Sequence, residues 1–97
     1  MRIASKVDKS QPAIVRALRA VGFHVLHLHQ LGKGKPDLLV TGYSSKTESV
    51  AALLVELKYG NGDLTEDERK FRHEYPPDGP LIVARDVDEI LSWFGRN

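Results

Sequence analysis

The chain has no cysteine, a single methionine and no long apolar run, and these absences exclude several classes of protein. Without cysteine, no disulfide, thiolate metal site or cysteine nucleophile can form, which fits a reducing compartment. The longest apolar run, Val50–Val55, is far too short to cross a bilayer, and the N-terminus shows no apolar segment of the signal-peptide type. We therefore expect a soluble, cytoplasmic protein with no membrane partner.

What is present is the composition of an ordinary globular domain. Hydrophobic residues make up 41% of the chain and charged residues 28%, proportions that argue against a disordered chain. A length of 97 residues supports one modest core and not two. We predict a single domain over residues 1–97, in which the polar residues 1–9 form a basic arm.

The net charge of +1 hides an uneven distribution along the chain. Residues 1–49 carry eight Lys or Arg against three Asp or Glu, whereas residues 50–97 carry six against ten. Such blocks can leave one basic surface on a nearly neutral protein, and a basic surface attracts phosphate backbones. A solvated charge pattern with no partner explains the same counts equally well, so both interpretations stay open.

Hydrophobic periodicity and turn residues predict the element order α-β-β-β-α-β-α. Close spacing of the first three strands predicts an antiparallel meander, and the helix between strands three and four makes those two strands parallel. The expected fold is α/β, with a mixed four-stranded sheet flanked by helices. The predicted elements are a helix over Gln11–Val21 capped by Ser10, strands over Phe23–Leu28, from Asp37 to Val40 or Tyr43, and over Val50–Lys58, a helix beginning at Thr65, a strand over Leu81–Ala84 and a helix capped by Asp86.

Three histidines lie close together in the first predicted strand and just after it. A strand turns His27 and His29 to one face and His24 to the other, so they do not form a metal-binding set. We interpret them as half-exposed strand residues with no catalytic role.

Charged residues occupy otherwise apolar positions at the ends of two predicted strands. Asp37 opens the second strand, and Glu56 and Lys58 share one face of the third. If these strands pair, two carboxylates and an ammonium group meet at one edge of the sheet, where such charges are rarely placed without a ligand. The pattern predicts a Mg²⁺ ion and a phosphodiester.

Each of these residues also has a structural interpretation. Asp37 after Pro36 is typical of a turn, and Glu56 with Lys58 is typical of an ion pair that keeps a sheet edge charged. The metal site is favoured because all three residues fall on strands that are expected to pair.

Three motifs in this order resemble the PD-(D/E)XK nuclease superfamily: Gly34-Lys35-Pro36-Asp37, Glu56-Leu57-Lys58 and Leu64-Thr65-x-x-Glu68. More narrowly, the chain from Gln11 to the last helix is similar to the small stand-alone VRR-NUC proteins of phages and bacteria. The resemblance implies a restriction-endonuclease-like core and a metal-dependent endodeoxyribonuclease, with Asp37, Glu56 and Lys58 as its catalytic residues.

The implied chemistry assigns a role to each residue. Asp37 and Glu56 would hold Mg²⁺, for which Mn²⁺ substitutes, and the backbone carbonyl of Leu57 would add a third oxygen. Lys58 would hold the attacking water or stabilise the extra charge of the transition state. Family members often carry glutamine where this chain has Glu68. Its position in a capping box explains this residue, and a catalytic role is the less favoured alternative.

The resemblance also implies a substrate. Some stand-alone members are symmetric dimers that resolve four-way DNA junctions, so the expected partner is branched or junction DNA. Many relatives in the wider superfamily place a glutamate on the first helix, where this chain has Gln11-Pro12-Ala13. The expected substrate contacts are Gln11, Arg16, Lys33 and Lys35. A solvated loop explains the two lysines nearly as well.

Two further alternatives stay open. The apolar last helix, with Trp93 and Phe94, either forms the interface of a homodimer or packs on the sheet of its own subunit. The alternative function is a non-catalytic nucleic-acid-binding or assembly module that keeps the nuclease fold, and a third possibility is a nuclease that acts on RNA.

Overall fold

The computed structural model describes the backbone of residues 7–96 and the side chains of residues 11–96. In chain order its elements are α1 (Val7–Ala20), β1 (His24–His27), the 3₁₀ helix η1 (His29–Leu31), β2 (Leu38–Ser44), β3 (Ser49–Leu57), α2 (Glu66–Glu74), β4 (Leu81–Ala84) and α3 (Val87–Trp93). Over this part of the chain, no helix is both long enough and apolar enough to cross a membrane.

The four strands form one mixed sheet in the order β1-β2-β3-β4. Strands β1, β2 and β3 pair antiparallel as a meander, and β4 pairs parallel to β3 after the crossover through α2. The predicted α/β class, element order and strand directions are therefore confirmed.

The predicted start of α1 was wrong. The helix already includes Val7, so Ser10 lies inside it and is not its cap, and the part of the predicted arm from Val7 to Lys9 is helical. Pro12 removes one amide donor, but it does not prevent the residues before it from being helical. The rest of the predicted arm, residues 1–6, lies outside the described residues.

The end of α1 follows from local backbone chemistry. Gly22 adopts a positive φ of 97°, a conformation in which a side chain is unfavourable. Its N–H donates to Arg19 O (3.1 Å), and the N–H of Phe23 donates to Leu18 O (3.0 Å). This pair of bonds satisfies the last carbonyls of the helix, and the buried Phe23 and Leu18 side chains accompany it. The helix ends at Ala20, one residue before the predicted Val21.

The core lies between one face of the sheet and helices α1 and α3. In β2 and β3 the core contains residues that lie directly opposite each other on the two strands. Leu38 and Val55 are one such pair, and both side chains are buried. After α3, Phe94 is fully buried and its ring centroid lies 4.6 Å from that of Phe23. Of the two alternatives for the last helix, packing on its own sheet holds for Phe94, which is not available to a dimer interface. The buried apolar residues are Ile14, Val15, Leu18, Phe23, Val25, Leu38, Val40, Leu53, Val55, Leu57, Ala84, Ile90 and Phe94.

The opposite face of the sheet is less covered than the face that carries the core. Val50 of β3, for example, is 71% exposed. Helix α2 buries no residue, because its sequence is charged at most positions. The two aromatic residues Phe71 and Tyr75 are only half-buried and stack on each other with ring centroids 5.7 Å apart.

Candidate functional site

Asp37 lies directly before β2 and is held beside the end of β3 by two hydrogen bonds. Its N–H donates to Val55 O (2.9 Å), and its Oδ2 accepts from the N–H of Leu57 (2.7 Å). The same antiparallel pairing that builds the core thus places a carboxylate next to Glu56. The prediction that Asp37 comes alongside Glu56 is confirmed by these contacts.

Glu56 is a carboxylate at an almost fully buried position, with 4% of the residue exposed. Because side chains alternate along a strand, it points away from the face on which its neighbours Val55 and Leu57 join the core. Burial, and then the charge of nearby Asp37, raise the pKa of Glu56 to about 8, and Glu68 adds to the effect. Such a group is costly to ionise unless a cation neutralises it.

Lys58 follows β3 and brings a positive charge to these carboxylates. Its Nζ lies 2.7 Å from Glu68 Oε1 and 3.6 Å from Glu56 Oε2. Burial by itself lowers the pKa of Lys58, but the hydrogen bond and charge of Glu68, with the other two carboxylates, outweigh burial and raise it. Lys58 is therefore an ammonium group that bridges Glu56 and Glu68.

Glu68 both caps α2 and contacts the site. Its Oε1 accepts from the N–H of Thr65 (2.8 Å), while Thr65 Oγ1 accepts from the N–H of Glu68 (3.2 Å), so the predicted capping box is confirmed. Burial tends to raise the pKa of Glu68, but hydrogen bonds from Lys58 and Thr65 lower it. The capping motif explained this residue completely in the sequence, so its ion pair with Lys58 went unpredicted.

These side chains line one open cavity of about 390 Å³ at the end of the sheet. Gln11, predicted as a substrate contact, reaches it from α1. Three further lining residues, Tyr59, Gly62 and Asp63, were missed, although they follow Glu56-Leu57-Lys58 closely in the sequence. The cavity is lined by Gln11, Asp37, Glu56, Leu57, Lys58, Tyr59, Gly62, Asp63 and Glu68.

Arg85, which follows β4, holds the loop after β3 in place. The Arg85 guanidinium donates to the carbonyls of Gly60 and Gly62, both at 2.9 Å. This two-point contact holds the wall of the cavity that Gly62 contributes.

The other predicted substrate contacts lie elsewhere. Lys33 and Lys35 line a separate cavity of about 250 Å³ beside α2, together with Lys70 and Phe71 and two acidic residues, Asp67 and Glu74. Lys35 Nζ lies 5.7 Å from the centroid of the Phe71 ring. Arg16 is exposed on α1 and does not line the cavity that holds Asp37.

The donor set at the site suits Mg²⁺ only in part. Among residues 11–96, no three His, Cys, Asp or Glu side chains are grouped as a ready-made metal site. Lys58 lies closer to Glu68 (2.7 Å) than to Glu56 (3.6 Å), and Glu68 also caps α2, so the carboxylates most available to a cation are Asp37 and Glu56. Mg²⁺ keeps several waters and needs only one or two carboxylates, and a buried Glu56 that is costly to ionise gains from a neighbouring cation. These two residues therefore fit a divalent cation. The carbonyl of Leu57 as a third ligand stays a prediction.

Comparisons of the chain with protein-family models, with curated proteins and with solved structures found no match. The geometry defines the site: two adjacent carboxylates and an ammonium group lie around an open cavity at one edge of a mixed sheet.

Proposed function

We propose that this protein is a Mg²⁺-dependent endodeoxyribonuclease of the VRR-NUC type, with a restriction-endonuclease-like core, that hydrolyses phosphodiester bonds in branched DNA such as four-way junctions. The observation that carries the proposal is the meeting of Asp37, Glu56 and Lys58 at one cavity. These charged side chains are at least half-buried at the end of the sheet, yet they line an open cavity. Such a placement is better explained by an ionic ligand than by a structural role.

The roles of the residues follow from their positions. Asp37 and Glu56 hold the cation, and Asp37 is oriented by the N–H of Leu57. When bound, Mg²⁺ supplies Lewis-acid stabilisation of the negative charge on the phosphodiester. Lys58 donates hydrogen bonds to the phosphate oxygens or to the attacking water as the bond from phosphorus to the leaving oxygen breaks.

The separate cavity beside α2 is consistent with a nucleic-acid substrate that extends beyond the scissile phosphate. Three lysines, Lys33, Lys35 and Lys70, line it. It lies against α2, the helix whose Glu68 lines the catalytic cavity. Phosphates beyond the scissile bond can be contacted there, and such contacts position a substrate without reading its base sequence.

Cleavage of a supercoiled plasmid and of a synthetic four-way junction, each with Mg²⁺ and with EDTA, tests the proposal. Asp37→Asn is the sharpest variant, because an asparagine oxygen can still accept from the N–H of Leu57. We expect metal-dependent cleavage by the wild type and a loss of about 100-fold or more in Asp37→Asn and in Lys58→Ala. The matched controls Asp78→Asn and Lys46→Ala change exposed residues away from the cavity and should cleave like the wild type.

Absence of cleavage by the wild type on both substrates would reject the proposal. Full activity in Asp37→Asn or in Lys58→Ala would do the same.

A non-catalytic nucleic-acid-binding module is the second candidate, and the ion pair between Lys58 and Glu68 favours it. A lysine held 2.7 Å from a carboxylate is already neutralised without a substrate. Such a module should bind junction DNA equally with Mg²⁺ and with EDTA, and Mg²⁺ should not raise its unfolding temperature. The nuclease should be stabilised by Mg²⁺ through Asp37 and Glu56.

A further inference from the structure

The three histidines of the first strand region are not used by the proposed catalytic site, yet two of them line a cavity beside it. His27 and His29, with Gln11 and Pro12 of α1, surround a space of about 390 Å³. This volume falls in the range of about 300–1,000 Å³ that small-molecule sites occupy. The sequence prediction that His27 and His29 share a strand face was wrong, because β1 ends at His27 and His29 belongs to η1.

The histidine cavity and the catalytic one share a lining residue, Gln11, whose Nε2 donates to His27 Nδ1 at 3.3 Å. Between the two histidines, the N–H of Leu28 donates to the carbonyl of Asp37 at 2.8 Å. The segment between the two histidines is therefore hydrogen-bonded to the residue whose carboxylate lines the catalytic cavity.

Three of the four residues that line the histidine cavity carry rings. The His27 and His29 rings are exposed and lie edge to face, with centroids 6.0 Å apart and planes at 76°. The Pro12 ring faces the same space from α1. Imidazole rings stack on unpaired bases in many nucleic-acid complexes, and every base offers a face for stacking.

A metal site is a weaker interpretation of the same residues. Among residues 11–96 no third His, Cys, Asp or Glu joins the two histidines in a group suited to a metal, and Gln11 and Pro12 complete the lining.

We propose that the cavity formed by Gln11, Pro12, His27 and His29 accepts one unpaired nucleobase next to the scissile phosphate. This inference rests on the proposed function, and it adds to that function a site for an unpaired nucleotide next to the cleaved bond. The stacked base would align the adjoining phosphate with Asp37.

Binding without metal separates this inference from catalysis. The full chain is titrated, in EDTA, into a single-stranded oligonucleotide that carries one 2-aminopurine, and separately into the duplex of the same sequence. We expect the wild type to quench the 2-aminopurine by stacking and to prefer the single strand. The double variant His27→Ala/His29→Ala should bind the single strand about tenfold more weakly, about 1.4 kcal/mol, with duplex affinity within twofold of the wild type.

Two controls make the outcome specific to stacking. His27→Phe/His29→Phe keeps flat rings but loses the ring nitrogens, and it should bind the single strand like the wild type. His24→Ala removes the exposed histidine of β1 that does not line the cavity, and it should have no effect. Unchanged single-strand binding by the Ala variant, or a loss in the Phe variant as large as in the Ala variant, would overturn the proposed base site.

Cleavage by the same proteins with Mg²⁺ distinguishes the two proposals. Ring-dependent single-strand binding without any cleavage would reject the nuclease and keep the base site. Cleavage that depends on Asp37 but not on the histidine rings would reject the base site and keep the nuclease.

Discussion

Lys58 Nζ lies 2.7 Å from the Glu68 oxygen that also accepts the N–H of Thr65 at 2.8 Å. One carboxylate oxygen thus fixes the start of α2 and binds the ammonium group at the end of β3. The cap orients Glu68, and Glu68 in turn orients Lys58 towards Glu56. The geometry of the candidate site therefore depends on a helix cap as much as on the sheet.

Replacing Glu68 with glutamine should keep the cap and release Lys58. The amide oxygen of glutamine can still accept from the N–H of Thr65, whereas the charge that competes with a phosphate for Lys58 is gone. We expect Glu68→Gln to unfold within about 1 kcal/mol of the wild type and to cleave DNA at least as fast. Glu68→Ala, which also loses the capping bond, should be destabilised by about 0.5–2 kcal/mol.

Urea unfolding and junction cleavage measure both effects. A Glu68→Gln protein as inactive as Lys58→Ala would mean that the Glu68 carboxylate itself takes part in the reaction.

The stability of the metal-free protein should fall as pH rises from about 5 to 8. Burial and the Asp37 charge keep the proton of Glu56 in the folded state up to its pKa of about 8, while the unfolded chain releases it near its ordinary pKa of 4.5. The folded state therefore binds more protons in this window, and the free energy of unfolding declines with pH, by up to a few kcal/mol. The lowered pKa of Glu68 acts below this window and the raised pKa of Lys58 above it.

Urea unfolding in EDTA at several pH values tests this dependence. Glu56→Gln should remove most of it, and Glu66→Gln, which changes an exposed acid in the first turn of α2, should leave it intact. An unchanged pH dependence in Glu56→Gln would assign the effect to another group.

Stabilisation by Mg²⁺ should grow with pH. A cation at Asp37 and Glu56 competes with the Glu56 proton, so its affinity rises as pH approaches the pKa of about 8. At a fixed millimolar Mg²⁺ concentration, we expect a larger rise in unfolding temperature at pH 8.5 than at pH 6.5, and no rise in Asp37→Asn. A rise of equal size at both pH values, or one that survives in Asp37→Asn, would place the ion elsewhere.

Two glycines in the loop before Asp37 provide a matched pair. Gly32 and Gly34 both have positive φ, 62° and 79°. A Cβ at Gly32 would meet nothing within 4 Å, whereas one at Gly34 would overlap the backbone of Asp67 in α2. Gly32→Ala should cost about 1–3 kcal/mol of backbone strain, because its ψ of −167° lies in a region that is essentially restricted to glycine. Gly34→Ala should cost about 1–3 kcal/mol more than Gly32→Ala, because loop and helix must separate.

Gly34→Ala should also slow DNA cleavage. Moving the loop away from α2 would shift Asp37, which lies directly before β2, relative to Glu68. Unfolding and cleavage measured for both variants test the pair. Equal costs for the two substitutions would show that the loop does not depend on its contact with α2.

The sequence predicted those features that follow from local rules. Alternation in β2 and β3 brought Asp37 alongside Glu56, since a strand register follows from which residues must be buried. The caps at Thr65 and Asp86 were recognised because a capping residue is defined by its own neighbours in the sequence, and both side chains accept the predicted N–H.

The remaining features depend on tertiary placement and escaped the sequence. Ser10 and Pro12 look like a helix start whether or not residues before them are helical. Phe71 has the spacing of a core residue, but α2 lies against Lys35 rather than the core. The ion pair of Glu68 with Lys58, and the meeting of His27 with Gln11, join residues from separate elements that no local pattern connects.

The most direct test of the central claim, that Asp37 and Glu56 together hold a divalent cation beside Lys58, is the anomalous diffraction of crystals grown with Mn²⁺. We predict an anomalous peak in the cavity that Asp37, Glu56 and Lys58 line, about 2.1 Å from one carboxylate oxygen of Asp37 and one of Glu56. An empty cavity at millimolar Mn²⁺, or a peak bound only by other residues, would contradict the account.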